Sequence, residues 1–271
     1  MLRIEVQEMK RKEEEPDCKS QIPNKKVFLM NNKPQIFLLH FAGGSCYSFE
    51  FLRKYLNKNF DFIALELPGR GRRYDESILF NKFQCIEDYT DQIKKLRNNS
   101  PYVIYGHSMG ATLGLGVVKK MEDYNDPPLH LIVTGNAGPN IKELDKEGKP
   151  LVRHLMDDHK FKEELRRLGG VPEDILENED LYNFFSPIIR ADFEVLEKKD
   201  FYKVNYVIKT PIYAIMGTKE KRNQYIKNWN NYTANQFQFQ ILEGDHFFIN
   251  NHPELLVKVL EECFINNVVT N

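Results

Sequence analysis

The sequence predicts an α/β protein, a mostly parallel sheet with helices on both faces and a helical lid inserted over the strand ends. Three observations predict it. From Gln35 onward, apolar runs of strand length alternate with segments of helical period. A G-x-S-x-G motif, Gly106-His107-Ser108-Met109-Gly110, joins the strand-like run Tyr102–Tyr105 to a helix-like run beginning at Ala111. One long stretch, about 141–207, breaks the alternation with helical patterns only, and is too long for a structureless loop.

The elements follow in order. Val27–Met30 and the turn Asn31-Asn32-Lys33-Pro34 read as a hairpin strand at the sheet edge. Gln35–His40 is apolar enough for a strand buried on both faces. A helix near Tyr47–Asn57, a strand at Phe60–Leu65 and a loop, Leu67-Pro68-Gly69-Arg70-Gly71-Arg72-Arg73, come next. The helix expected over Lys82–Arg97 aligns Phe83, Ile86, Tyr89, Ile93 and Leu96 at three- and four-residue spacing. After the motif come a strand at Leu129–Thr134, the insertion, a strand at Pro211–Met216, a helix near Arg222–Tyr232, a strand at Gln236–Leu242 and a closing helix from Pro253. Within the insertion, Phe161, Leu165 and Leu168 mark one helix; Leu181, Phe184, Phe185, Ile188, Phe193 and Leu196 mark another. Residues 27–271 thus form one domain, preceded by a charged segment, 1–26, whose seven basic and six acidic residues carry no aromatic among them.

Composition excludes several function classes. Thirty-eight basic residues balance 39 acidic ones, for a net charge of −1, so no whole-protein field argues for a nucleic-acid or membrane partner. The start of the chain has no apolar core of signal-peptide length, and no later run has the span of a membrane helix. Cys18, Cys46, Cys85 and Cys263 are far apart and read as reduced thiols of a cytoplasmic protein. Neither an H-E-x-x-H motif nor a cysteine cluster is present, so no metal and no other cofactor is expected.

The motif carries the chemistry. A serine on a sharp strand-to-helix turn stands clear of the sheet at a helix N-terminus, where N–H groups favour negative charge; this is the nucleophile elbow of α/β-hydrolases. A serine hydroxyl needs an imidazole base, itself oriented by a carboxylate, in the chain order serine, acid, histidine. His246 follows the last strand in Glu243-Gly244-Asp245-His246-Phe247-Phe248 and is the candidate base. His252 precedes a helical proline and opens the helix, His107 and His40 are structural, and His130, His154 and His159 fall in a strand and in the insertion. Glu220, in Met216-Gly217-Thr218-Lys219-Glu220, is the first carboxylate after the penultimate strand and the candidate acid. Asp245 adjoins His246 too closely in sequence, and Gly135–Asn140 offers no carboxylate; a surface glutamate among Lys219, Lys221 and Arg222 is the bland reading of Glu220. The oxyanion donors are the Met109 N–H and an N–H of Phe41-Ala42-Gly43-Gly44-Ser45, that of Ala42, with Phe41 as the near alternative. Arg70, Arg72 and Arg73 are placed to meet a phosphate or acidic surface, or else to brace their loop; Arg190 and Asp192 read as an internal ion pair; Phe184 and Phe185 line an acyl channel or pack the insertion.

Taken together, Phe41-Ala42-Gly43-Gly44, Leu67–Arg73, the elbow, Ser186-Pro187-Ile188-Ile189-Arg190-Ala191-Asp192-Phe193 and Gly244–Phe248 resemble the stand-alone, type II thioesterases of polyketide and nonribosomal peptide synthesis, and the related medium-chain thioesterase of fatty acid synthesis. The resemblance covers roughly residues 35 to 260. It implies an enzyme that hydrolyses acyl groups from the phosphopantetheine arm of acyl- or peptidyl-carrier proteins, with Ser108 as nucleophile, His246 as base, and the Ala42 and Met109 amides as oxyanion hole; a monomer is expected. Two departures stand out. The family has aspartate where this chain has Glu220, and Gly-Gly before its histidine where this chain has Gly244-Asp245. The competing readings are an esterase acting on free small molecules and a catalytically weak carrier-binding protein.

Overall fold

A computed structural model describes residues 32–198 and 205–265; the strand expected at Val27–Met30 and the charged segment before it lie outside them. Six strands, β1 (Gln35–Leu39), β2 (Asp61–Ala64), β3 (Tyr102–His107), β4 (Leu131–Thr134), β5 (Ile212–Gly217) and β6 (Phe237–Leu242), form one sheet in the order β2-β1-β3-β4-β5-β6. Every pairing is parallel.

The central strands are apolar on both sides because helices cover both sides. Along β1, Phe37 and Leu39 enter one core with α2 (Lys82–Leu96) and α3 (Met109–Asp123). Ile36 and Leu38 enter the other, with the short α1 (Glu50–Arg53) and α7 (Pro253–Ile265). Between β4 and β5 lies the insertion, with α4 (Asp158–Leu168), α5 (Glu173–Glu177) and α6 (Glu179–Glu197) around a core of their own that includes Phe161, Leu165, Tyr182, Ile189 and Phe193.

Local differences from the sequence expectations have identifiable causes. Where a full helix is expected near Tyr47–Asn57, only α1 forms; the turns on either side of it close through i→i+3 bonds, from the Glu50 N–H to the Tyr47 carbonyl at 3.1 Å and from the Tyr55 N–H to the Leu52 carbonyl at 3.0 Å. Asn223–Tyr232 is a 3₁₀ helix rather than an α-helix. Its buried residues, Ile226, Trp229 and Tyr232, repeat every third position, the period that keeps them on one face of a three-residue turn. On α2 the buried stripe is Cys85, Ile86, Tyr89 and Ile93; Phe83 and Leu96, expected on it, are exposed at the two ends. Leu181 and Phe184 likewise face outward on α6, whose buried face is Tyr182, Ile189 and Phe193.

Buried titratable groups set a pH limit on stability. Burial, assisted by the Arg70 guanidinium, pushes His40 down to about 4, and burial does the same to His130. Each is neutral when folded and takes a proton on unfolding below its ordinary value of 6.5. Their stabilisation is therefore complete above pH 6.5 and is lost as pH falls toward 4. For His40 the loss is expected to be about 2 kcal/mol between pH 7 and 5, read from urea unfolding at the two pH values. Cys46, Cys85 and Cys263 are buried, and chiefly that burial pushes their thiols up to about 11, 12 and 12.

Candidate active site

Strand order opens a crevice beside β1. The chain leaves β1 toward the face of α1, but leaves β3 toward the face of α3, so the loops after these neighbouring strands diverge above the sheet. One is Phe41–Ser45; the other is Ser108.

Ser108 holds φ 53° and ψ −106°, a conformation that costs an L-residue on the order of 1–3 kcal/mol. Its surroundings enforce it. The Ser108 N–H donates to the Thr134 carbonyl at 2.8 Å, and the Ser108 carbonyl accepts from Asn136 Nδ2 at 2.9 Å. Asn136 Nδ2 also donates to Thr112 Oγ1 at 2.9 Å, and its backbone carbonyl takes the Trp229 Nε1–H at 2.8 Å. Gly135–Asn140 thus supplies no carboxylate but does supply, in Asn136, an anchor of the elbow. The flanking glycines are required by space. A Cβ on Gly106 would lie 2.3 Å from the Gly110 carbonyl oxygen, and one on Gly110 would lie 2.1 Å from that of Leu39. Gly110→Ala is accordingly expected to cost more than about 3 kcal/mol, since backbone rather than a movable side chain blocks the methyl; thermal unfolding checks it.

His246 lies just beyond β6, with its Nδ1 2.8 Å from Glu220 Oε1. A carboxylate only accepts, so Nδ1 carries the hydrogen and Nε2 is left as the basic nitrogen. The second oxygen, Glu220 Oε2, accepts the Gly217 N–H at 2.7 Å, which fixes the carboxylate plane at the end of β5. The adjacent Asp245 accepts the Phe247 N–H at 2.9 Å instead of meeting the imidazole. His107 is fully buried, its Nδ1 2.9 Å from Thr134 Oγ1 and its ring centre 4.9 Å from that of His246. Burial, and then the neighbouring His246, push His107 well below the ordinary histidine range, so it stands as a neutral wall beside His246.

Ser108, Glu220 and His246 line one cavity of about 830 Å³ together with Ala42. The Ala42 and Met109 N–H groups donate to no other group among the described residues, and Met109 begins the fifteen-residue helix α3. The insertion supplies much of the remaining wall through Leu165, Leu168, Val171, Phe193 and Leu196. It closes directly over the histidine loop: a Cβ on Gly170 would sit 2.1 Å from the Phe247 ring, whose centre is 5.2 Å from that of His246.

Other expected site residues are elsewhere. Arg70 does not line the cavity; it is buried, and its guanidinium grips Asp192 through two bonds of 2.6 and 2.8 Å. Asp192 therefore pairs with Arg70, while Arg190 pairs with Asp158 at 2.8 Å, which replaces the expected Arg190–Asp192 contact. Arg73 is occupied by Glu76 and Asp88, and so braces its loop. Phe184 is 62% exposed and Phe185 packs on the core of the insertion; neither lines the cavity, because α6 turns its other face inward. Among the described residues no group of three or more His, Cys, Asp or Glu is arranged to hold a metal ion, and no helix is long and apolar enough to cross a membrane.

Comparison with known proteins gives a consistent picture. The family model described as Thioesterase domain matches residues 34–264. Gramicidin S biosynthesis protein GrsT of Aneurinibacillus migulanus is 31% identical over 220 residues, which cover 80% of this chain and 83% of that protein. The medium-chain S-acyl fatty acid synthase thioesterase of Rattus norvegicus is 26% identical over 259 residues, covering 91% and 92%. Among solved structures, ClbQ from the colibactin NRPS/PKS pathway superposes with a TM-score of 0.79 at 25% identity, covering 89% of this chain and 100% of that one. The α/β-hydrolase fold expected from the elbow is the fold of this molecule.

Proposed function

The chain belongs to the thioesterase domain family, and on that premise we propose that it hydrolyses acyl groups from the phosphopantetheine arm of carrier proteins, to clear stalled units or release finished chains. The observation that carries this reading is the 2.8 Å contact of His246 Nδ1 with Glu220, at the cavity that Ser108 also lines.

His246 Nε2 takes the proton as Ser108 Oγ bonds to the thioester carbonyl carbon, and the carbonyl π pair moves onto oxygen. That oxyanion is received by the Ala42 and Met109 N–H groups and by the positive end of α3. Collapse breaks the C–S bond; the sulfur takes the proton from His246 and leaves as the pantetheine thiol. Water then attacks the acyl-Ser108 ester, giving its proton to His246, and a second collapse returns that proton to Ser108 Oγ and frees the carboxylic acid. The family contributes the choice of thioester over ester, and the carrier as partner follows from the biosynthetic settings in the names of GrsT and ClbQ. Steady-state hydrolysis of acyl-pantetheine or acyl-carrier thioesters beside matching oxygen esters tests the reading. The thioesters are expected to be preferred, in a Ser108-dependent manner. Equal rates would point to a general esterase, and an inert parent protein to a binding role.

A further inference from the structure

We propose that Asp192, held by Arg70, is a positioning residue that sets the oxyanion loop from the insertion helix α6; the inference rests on the assignment of Ala42 to the oxyanion hole. The family-like motifs Leu67–Arg73 and Ser186–Phe193 have no contact with the cavity that explains Arg70 or Asp192 as substrate ligands. What they share is the Gly43–Gly44 turn. Asp192 Oδ2 accepts the Gly43 N–H at 2.8 Å, and the same oxygen takes Arg70 Nη1 at 2.6 Å. Arg70 Nη2 reaches Oδ1 at 2.8 Å, and Nη1 also lies 3.3 Å from the Gly44 carbonyl. One turn earlier on α6, Ile189 packs on the same glycine: a Cβ on Gly43 would stand 3.0 Å from Ile189 Cγ1. Ala42 itself packs against both the core of the insertion and the core beneath the sheet.

The chemistry of this arrangement argues for positioning. The two side chains are 4% and 1% exposed, so both charges are almost wholly removed from water. A buried ion pair is a poor investment for stability alone, because a well-packed apolar pair of similar volume usually does as well. This pair does something an apolar pair cannot. A carboxylate accepts the Gly43 N–H, and the fork of Arg70 fixes the carboxylate plane, so the peptide following Ala42 has one orientation while α6 is seated. Donors to an oxyanion act through preorganisation, and an error of about 1 Å in their placement costs about 100-fold in rate. On this view the insertion forms part of the device that aims the Ala42 N–H, besides roofing the cavity.

The test is the double variant Arg70→Met/Asp192→Leu, which removes both charges without stranding either, with Asp192→Asn alongside. Rates are taken per active site by titrating acyl-Ser108, so that unfolded protein does not count. The double variant is expected to keep its melting temperature within a few degrees and its KM within about threefold, while kcat falls about 10- to 100-fold. Affinity for an aryl boronic acid, which Ser108 converts to a tetrahedral adduct, is expected to fall in step with kcat. Asp192→Asn, which retains an oxygen for Gly43, is expected to recover part of both. A kcat per site within threefold of the parent in the double variant would overturn the proposal. Should that variant not fold, Asp192→Asn decides instead: an unchanged kcat per site and boronate affinity, with only a lowered melting temperature, would leave the pair a purely structural role. A parent with no Ser108-dependent turnover would instead defeat the functional assignment itself.

Discussion

Ser108→Ala is expected to lower thioester hydrolysis by about 10⁴-fold or more, measured as kcat/KM on an acyl-pantetheine substrate. Nothing else at the elbow can replace the hydroxyl. Gly106 and Gly110 have no side chain, Met109 is turned into the core, and His107 is sealed behind Thr134. The residual rate would come from the oxyanion donors and binding alone. A companion substitution separates chemistry from fold. Ser108 sits at φ 53°, where glycine is at ease, so Ser108→Gly is expected to be equally inactive yet more stable by about 1 kcal/mol. If either variant retained a tenth of the parental rate, the nucleophile would have to be sought elsewhere.

Glu220→Gln is the second large effect, with kcat expected to fall about 10²- to 10⁴-fold. The carboxylate now receives the Gly217 N–H on one oxygen and the His246 Nδ1–H on the other. An amide has a single oxygen. If it stays on Gly217, the NH₂ group faces Nδ1 and favours the tautomer with its hydrogen on Nε2, which cannot accept the Ser108 proton. If it turns over, the Gly217 N–H meets a donor. His246→Ala removes the base itself and is expected to match the loss at Ser108, because the two act as one unit. Retention of the parental rate by Glu220→Gln would transfer the orienting role to another carboxylate, and the same hydrolysis assay at pH 7 reads both variants.

The parts of this molecule that were legible in sequence are those fixed by local pattern. Strands β1 and β3 declare themselves as apolar runs because both their faces are covered, and the elbow does so because its close approaches admit glycine alone. The contact of His246 with Glu220 was legible from their places after β6 and β5. The misreadings concern partners that only the folded chain brings near. Arg70 and Asp192 are 122 positions apart, so no spacing rule predicts that each neutralises the other. Phe184 has the chemistry of channel lining but faces solvent, and Asn136 leaves no mark in the sequence because its role is to hold a backbone carbonyl. The 3₁₀ helix at Asn223–Tyr232 was visible in principle, since its three large buried residues keep a period of three.

In the proposed reaction, the buried thiols bear on where an acyl group can go once it has left its carrier. Hydrolysis of a thioester releases a thiol into the same chamber as the new acyl-serine, and any accessible cysteine thiolate there would compete by attacking the acyl carbonyl, expelling the serine hydroxyl and taking the acyl group as a new thioester. Cys46, Cys85 and Cys263 lie in the interior with their protons tightly held, and the cavity wall contains none of them. Among the described residues, the acyl-enzyme therefore has no internal thiol acceptor. In the proposed reaction its fate is then a partition between water, which completes turnover, and the returning pantetheine thiol, which merely reverses the first step.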